Sequence, residues 1–235
     1  MSEDGGLQSA TALVDFARSL QDCDSVEAVL QRLGDACRDL LPVAGVGVLL
    51  AEDGDLTVAT TNSPEGEAVE ALEAELAQGP CVQALRSGAV VVERDLREAA
   101  DRYPAFVPRA LECGVQSIHA LPLSGRGEMV GAVDIVHREP LDLPAGDVAV
   151  AQMLADVAVS YIFAVRLHEQ SSRLASQLQR ALDTRVVIEQ AKGMLAERHG
   201  EPVQKAFERL RQRARSTNAS VRDVAAQVID GSLRL

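Results

Sequence analysis

The sequence predicts an α+β fold, an antiparallel sheet flanked by helices, followed by a long helix that leads into a small three-helix unit. Short runs that alternate apolar with polar residues are joined pairwise by turn signals, which makes hairpins and so antiparallel strands. Apolar residues at helical spacing bracket those runs, and from about Leu143 to Gly200 the helical pattern continues without a break. At 235 residues the chain has ample length for a buried core and exceeds the common single-domain size.

Taken in order, residues 8–41 carry Leu13, Phe16, Leu20, Val26, Val29, Leu30, Leu33 and Leu40 at helical spacing, with Asp24-Ser25 as the start signal of a second helix. Val46, Val48 and Leu50 alternate into Glu52-Asp53-Gly54-Asp55, after which Leu56 and Val58 resume the period of two; the Asp-Gly marks a hairpin. Pro64 to Ala77 is acidic and alanine-rich and reads as an exposed helix. Gly79-Pro80 restarts the chain into a short helix ending near Ser87-Gly88, and Val90 to Val92 is a short strand. A helix around Ala105 to Glu112 precedes two strands, Val115 to Leu123 and Met129 to Val136, joined through Ser124-Gly125-Arg126-Gly127.

Within the long helix Leu167, Ser171, Leu174, Leu178 and Ala181 keep the three-four spacing of a short coiled-coil seam, a pattern that a helix packing inside its own chain satisfies equally. His199-Gly200-Glu201-Pro202 closes that helix and opens the next. Val203, Ala206, Phe207, Leu210 and Ala214 form the apolar stripe of the second helix of the terminal unit. Ser220 followed by Asp223 resembles a capping box for the third, which stops near Gly231.

The formal net charge is −12, but its sign reverses along the chain. Residues 1–171 hold 11 Lys and Arg against 28 Asp and Glu, a net −17, and residues 172–235 hold 12 against 7, a net +5. A compact basic tail on an acidic body is the footprint of a chain of which one part meets a polyanion, although a solvated helix face gives the same count. No stretch approaches the roughly 20 apolar residues of a membrane span, and Met1 to Ser9 lacks the pattern of a secretory leader, so a cytoplasmic protein with no membrane partner is expected.

Cys23, Cys37, Cys81 and Cys113 show no CxxC pair and no histidine at zinc-ligand spacing, so neither a metal site nor a cofactor is expected; they read as buried thiols of a reducing compartment. His119, His137, His168 and His199 are scattered and no nucleophile–base motif occurs, which points away from an enzyme.

Two blocks of residues resemble known families. Thr184-Arg185-Val186-Val187-Ile188-Glu189-Gln190-Ala191-Lys192-Gly193-Met194-Leu195, then Ala206-Phe207 and Leu210-Arg211 with Ala214, then Asn218 and Val224-Ala225, resembles the ANTAR domain of transcription antiterminators. Gln78-Gly79-Pro80-Cys81 with Ala84-Leu85, Asp95-Leu96, Arg102-Tyr103-Pro104 with Phe106, Gly114-Val115 with Ser117, Leu121-Pro122-Leu123 and Gly131-Ala132-Val133 resemble, in that order, a GAF domain. The resemblance implies a GAF-like sheet and a three-helix ANTAR domain. The boundaries run as an N-terminal tail 1–7, a GAF sensory domain 8–165, a helical connector 166–181, an ANTAR domain 174–230 that overlaps the connector helix, and a C-terminal tail 231–235. It also implies a regulator that binds RNA hairpins and alters termination or translation when its GAF domain is signalled. No receiver-like pattern is present, so control by an aspartyl phosphate is not expected.

On the second helix of the terminal unit Lys205, Arg209 and Arg213 recur every four residues, and Arg211 and Arg215 form another stripe, so cations flank the apolar face on both sides. Arg185, Glu189 and Lys192 share a face of the preceding helix, with Gly193 beside them to allow close approach of another backbone. The expected RNA contacts are Arg185, Lys192, Lys205, Arg209, Arg211, Arg215 and Asn218, with arginine planes and the Asn218 amide standing in for the aromatic residues that the tail lacks; Phe207 reads as core. One departure from the family is Ala219-Ser220, where further basic residues often follow, which bears on the strength of binding.

In the GAF half Cys81, Tyr103, Phe106, Ser117 and His119 are the ligand-pocket candidates, each equally explained as core. Leu167, Leu174 and Leu178 would form the seam of a homodimer. Two other classes stay open: a ligand-binding sensor whose helical tail binds a protein, and a DNA-binding regulator whose three-helix unit enters a groove.

Overall fold

The computed structural model describes residues 3–52 and 55–235. The elements are α1 (Glu3–Ser19), α2 (Val26–Leu40), β1 (Gly45–Glu52), β2 (Asp55–Thr61), α3 (Pro64–Leu76), α4 (Pro80–Ser87), β3 (Val91–Glu93), α5 (Phe106–Glu112), β4 (Ser117–Gly125), β5 (Glu128–His137), α6 (Ala145–His199), α7 (Val203–Thr217) and α8 (Val221–Ile229). The chain divides into two compact units, 1–167 and 168–235, with α6 beginning in the first and ending in the second.

In the first unit five strands form one sheet in the order β2-β1-β5-β4-β3, every neighbour antiparallel. The β4–β5 hairpin closes through Arg126 and Gly127, both at positive φ (55° and 80°), the type I′ geometry that matches strand twist. The Asp53-Gly54 turn expected between β1 and β2 lies outside the described residues. Both flanks of it do pair, Glu52 with Asp55.

Strand parity sorts the side chains into two layers. Val46, Val48, Leu50, Leu121, Leu123, Val133 and Ile135 face a core completed by α1, α2 and α6, in which Leu30, Leu33, Leu154, Ala158 and Ile162 are buried. Helix α2 starts where Ser25 accepts a hydrogen bond from the Ala28 amide (3.2 Å), leaving Val29, Leu30, Leu33 and Cys37 on its inner face. The opposite face of the sheet carries Leu49, Ala120, Ala132, Ile118 and Val136 beneath α3, α4 and α5.

Three expectations need correction here. Helix α3 is not exposed: Val69, Glu70, Leu72 and Glu73 are buried, because the two glutamates fall at the same helical phase as the apolar pair and turn under the sheet with it. Cys113 is exposed, unlike Cys37 and Cys81. Helix α6 contains an 18-residue window of mean hydropathy 1.9, long and apolar enough by composition to cross a bilayer. Its Ala151, Leu154, Ala155, Ala158, Val159 and Ile162 instead pack against the sheet.

In the second unit Ala191 and Leu195 of α6, Ala206, Leu210 and Ala214 of α7, and Val224, Ala225 and Val228 of α8 make a small core. Ser220 caps α8 by accepting from the Asp223 amide at 3.0 Å. Val203 stands outside this core at 46% exposure, one turn before the buried stripe begins at Ala206.

Replacing Leu154 by Ala is expected to cost about 2–5 kcal/mol in denaturant unfolding, and replacing the exposed neighbour Met153 less than about 0.5 kcal/mol. Equal costs would mean that the apolar window of α6 does not pack as described.

Candidate nucleic-acid interface and sensory core

The second unit presents its cations unequally. Arg209 forms a two-bond ion pair with Glu201 (Nε to Oε1 2.8 Å, Nη2 to Oε2 3.3 Å), and Lys192 pairs with Glu189 at 2.8 and 2.9 Å. Among the described residues Arg185, Lys205, Arg211, Arg213 and Arg215 have no such acidic partner and are exposed. Phe207 is half-buried rather than core, and two cations lie over its ring, Lys192 Nζ at 5.3 Å and Arg211 Cζ at 5.8 Å from the centroid. Cation–π attraction of this kind joins α6 and α7 through side chains that remain reachable from solvent.

Asn218 occupies the left-handed position that ends α7, at φ 51°, with its backbone N–H donating to the carbonyls of Ala214 and Arg215. Its place is explained by helix termination, for which asparagine is suited. Gly193 differs from the expectation of close packing: a Cβ built there meets nothing within 4 Å, so its open space is not filled by this chain. Sequence reasoning also passed over Gln212 and Ser216, which with Arg209, Arg213 and Leu235 line a groove of about 250 Å³.

The expected dimer seam is exposed along its length, with Leu167, Leu174 and Leu178 each more than half accessible; Leu182 and Val186, one and two turns beyond Leu178, extend the same surface.

In the first unit the five pocket candidates do not share a pocket, because the sheet separates them. Ser117 and His119 lie on the parity of Leu121 and Leu123. Ser117 donates to the Glu139 carbonyl (2.9 Å), and His119 Nε2 accepts from the Leu143 amide (3.2 Å) with its ring edge-on to His137 at 5.6 Å. On the other side Tyr103 and Phe106 pack edge to face at 6.4 Å, and the Tyr103 hydroxyl sits between Gln83 and Glu93, with Glu93 also paired to Arg102. Every one of the five is buried and held by its own chain. An opening of about 590 Å³ lies elsewhere, a groove between α1 and α2 with Phe16, Arg32, Asp35 and Asp39 among its lining.

The buried acidic residues under the sheet were not legible as a group. Glu73 accepts from the amides of Cys81 and Val82, both at 3.2 Å, and so does the work of a capping side chain for α4, whose own cap residue is Gly79. Gly79 stands at φ 145°, and a Cβ there would lie 2.2 Å from Glu73 Oε1. Glu70 fills the space over Gly47 of β1, where a Cβ would meet its Cγ at 2.3 Å. Asp134 on β5 completes the group. Burial pushes the carboxyls of Glu70 and Glu73 well up, and that of Asp134 up to about 8.

The comparisons with known proteins follow this division. The GAF domain model matches residues 23–162 and the ANTAR domain model residues 176–229. The chain belongs to the GAF-domain family and carries an ANTAR domain behind it. In this GAF–ANTAR chain the first is a signal-sensing domain and the second an RNA-binding antitermination domain, both regulatory rather than catalytic. Among solved structures, the GAF domain of the Acinetobacter phosphoenolpyruvate-protein phosphotransferase is similar at TM-score 0.57 and 14% identity, over 71% of this chain and 97% of that one. The corresponding GAF domain from Coxiella burnetii gives 0.56 and 15%, over 70% and 98%. The free methionine-R-sulfoxide reductase of Neisseria meningitidis gives 0.56 and 19%, over 72% and 96%. At these identities the likeness is one of fold. No curated protein matches the chain.

The buried histidine pair makes one acid-sensitive contribution to the stability of the GAF–ANTAR chain. Burial holds His119 down at about 4, with His137 adding to the effect, and the Leu143 amide needs an unprotonated Nε2. A histidine depressed from 6.5 stabilises the fold above pH 6.5 and loses that contribution as pH falls toward 4, about 1–2 kcal/mol between pH 7 and pH 5. The raised carboxyls act in the opposite sense, so the observable is a difference. His119→Gln, which keeps an acceptor for Leu143, is expected to lose less stability than the parent from pH 7 to pH 5 in paired thermal melts. Parallel curves would contradict the burial of a neutral His119.

Proposed function

We propose that this chain is a cytoplasmic regulator that recognises hairpins in transcripts through its ANTAR domain and controls termination or antitermination, or translation, in response to a signal at its GAF domain. The observation that carries the reading is the ANTAR match within the basic segment 172–235, of net charge +5, whose Arg211, Arg213, Arg215 and Lys205 are exposed without acidic partners. Cations already neutralised by a carboxylate must give up that pair before they take a phosphate, so Arg209 and Lys192 contribute less than the unpaired set. Arg211 is held over Phe207 with its guanidinium plane available for a loop base, and Arg185 extends the surface along α6. Asn218 is assigned a contact role only beyond its part in ending α7.

The exposed stripe Leu167, Leu174, Leu178 and Leu182 supports a homodimer that offers two basic units to two hairpins, the second binding then being intramolecular. Contiguous exposed leucines on a helix are the surface that such pairing would cover.

Changing Arg211 and Arg215 together to Ala is expected to weaken binding to a tandem-hairpin RNA by about 1–3 kcal/mol in filter-binding titrations while leaving the thermal midpoint unchanged. Unaltered affinity would overturn the assigned surface. Gly193→Ala should stabilise the helix by about 1 kcal/mol, since nothing opposes the added methyl, and yet reduce RNA affinity if a ribose-phosphate backbone approaches there. A more stable variant with full affinity would remove Gly193 from the interface. Leu174→Glu with Leu178→Glu should sediment as a monomer and lose the tandem-hairpin advantage; a dimer that persists would rule the seam out.

A further inference from the structure

We propose that Glu70, Cys81 and Asp134 form a binding site for one divalent transition-metal ion, of the zinc class, enclosed between the sheet and helices α3 and α4. The proposal goes beyond the RNA-binding reading and does not rest on it.

The three residues come from α3, α4 and β5, and one ligand atom of each, two carboxylate oxygens and the Cys81 Sγ, lies within 4.8 Å of the other two. All three side chains are fully buried. Among the described residues neither oxygen of Glu70 has a hydrogen-bond partner, and Asp134 has no fixed N–H or hydroxyl donor, its neighbours being the Cys81 thiol and the Glu73 carboxyl. Buried carboxyl oxygens without a fixed donor are costly, and folded proteins resolve such groups by pairing them or by giving them a cation. Glu73 shows the first solution one turn away, with two backbone amides on its carboxylate. Glu70 and Asp134 have no counterpart to those amides, and the backbone has yielded a side chain at Gly47 to admit Glu70. The fold therefore makes space for an acid and leaves it unpaired.

The donor set selects the ion. Calcium and magnesium take oxygen donors, whereas a thiolate with carboxylates suits zinc and its neighbours. Bond lengths of about 2.3 Å to sulfur and about 2.0–2.2 Å to oxygen place tetrahedral ligand atoms roughly 3.3–3.7 Å apart, a contraction of an ångström or so from the limit seen here. Each ligand gives up the proton it carries: binding one M²⁺ releases a proton from the Cys81 thiol and one from each carboxyl that is protonated. The bound group then has a net charge of −1, with Glu73 and the α4 N-terminus beside it.

The test uses the untagged full-length chain, stripped with a chelator and titrated with Co²⁺ and then Zn²⁺. One equivalent of Co²⁺ is expected to produce a thiolate-to-metal charge-transfer band that Zn²⁺ abolishes, proton release in weakly buffered solution, and a thermal midpoint raised by about 4 °C or more at saturating Zn²⁺. Cys81→Ser and Asp134→Asn should each remove the band and the thermal shift while Cys113→Ser, at the exposed thiol, keeps both. Glu70→Gln is the second carboxyl variant, and circular dichroism of each stripped variant establishes that it is folded. No band at one equivalent, or a band that survives Cys81→Ser, would overturn the site. Loss of the band in Cys113→Ser alone would assign it to surface binding and overturn the site equally.

Discussion

Between Ala145 and His199 the backbone of α6 runs as one helix, and both hydrophobic cores draw on it. Its first third supplies Leu154, Ala158 and Ile162 to the core beneath the GAF sheet, and its last turns supply Ala191 and Leu195 to the ANTAR core. Neither α7 nor α8 has enough apolar surface to fold as an isolated helix, since short helices in water depend on tertiary burial. The first helix of the RNA-binding unit is thus the C-terminal part of α6, and its burial against α7 and α8 supplies what those helices lack alone.

Charge is distributed to the same plan. The GAF half, at −17, is poor in sites for a polyanion, and several of its arginines are tied to carboxylates, as Arg109 is to Glu75 and Arg138 to Glu65. In the ANTAR half the pairing stops short: Glu201 takes Arg209 and Glu189 takes Lys192, while the stripe of Arg211 and Arg215 is left to solvent. Exposed ion pairs add little to stability, so the unpaired arginines cost the fold little and remain available to phosphate.

What could be read from the sequence was local. The Asp24-Ser25 start, the Gly79-Pro80 restart, the Arg126-Gly127 hairpin and the Ser220 cap all act within four residues, and each appears where its local chemistry puts it. What escaped depended on distant partners. Helix α3 has the composition of a solvated helix, and only Gly47 in β1 and the free amides of α4 explain why Glu70 and Glu73 turn inward. Cys81 is 11 residues from Glu70 and 53 from Asp134, spacings that no local ligand pattern covers. The separation of Ser117 and His119 from Cys81, Tyr103 and Phe106 was half legible, since strand parity puts the first two with Leu121, but the helices covering the other face could not be assigned from periodicity. Phe207 was expected in the core because its spacing fits the stripe; its ring lies at the edge of that stripe, where Lys192 and Arg211 cover it.

The central claim, an RNA-reading helical unit attached to an acidic sensory domain, is tested most directly by titrating the full-length chain with a tandem-hairpin RNA across a salt series, with duplex DNA of equal length as competitor. Hairpin RNA is expected to bind in preference to duplex DNA, and the logarithm of affinity to fall steeply with the logarithm of salt, by about 0.7–0.9 per phosphate neutralised. Equal binding of duplex DNA, or hairpin binding that does not respond to salt, would contradict it.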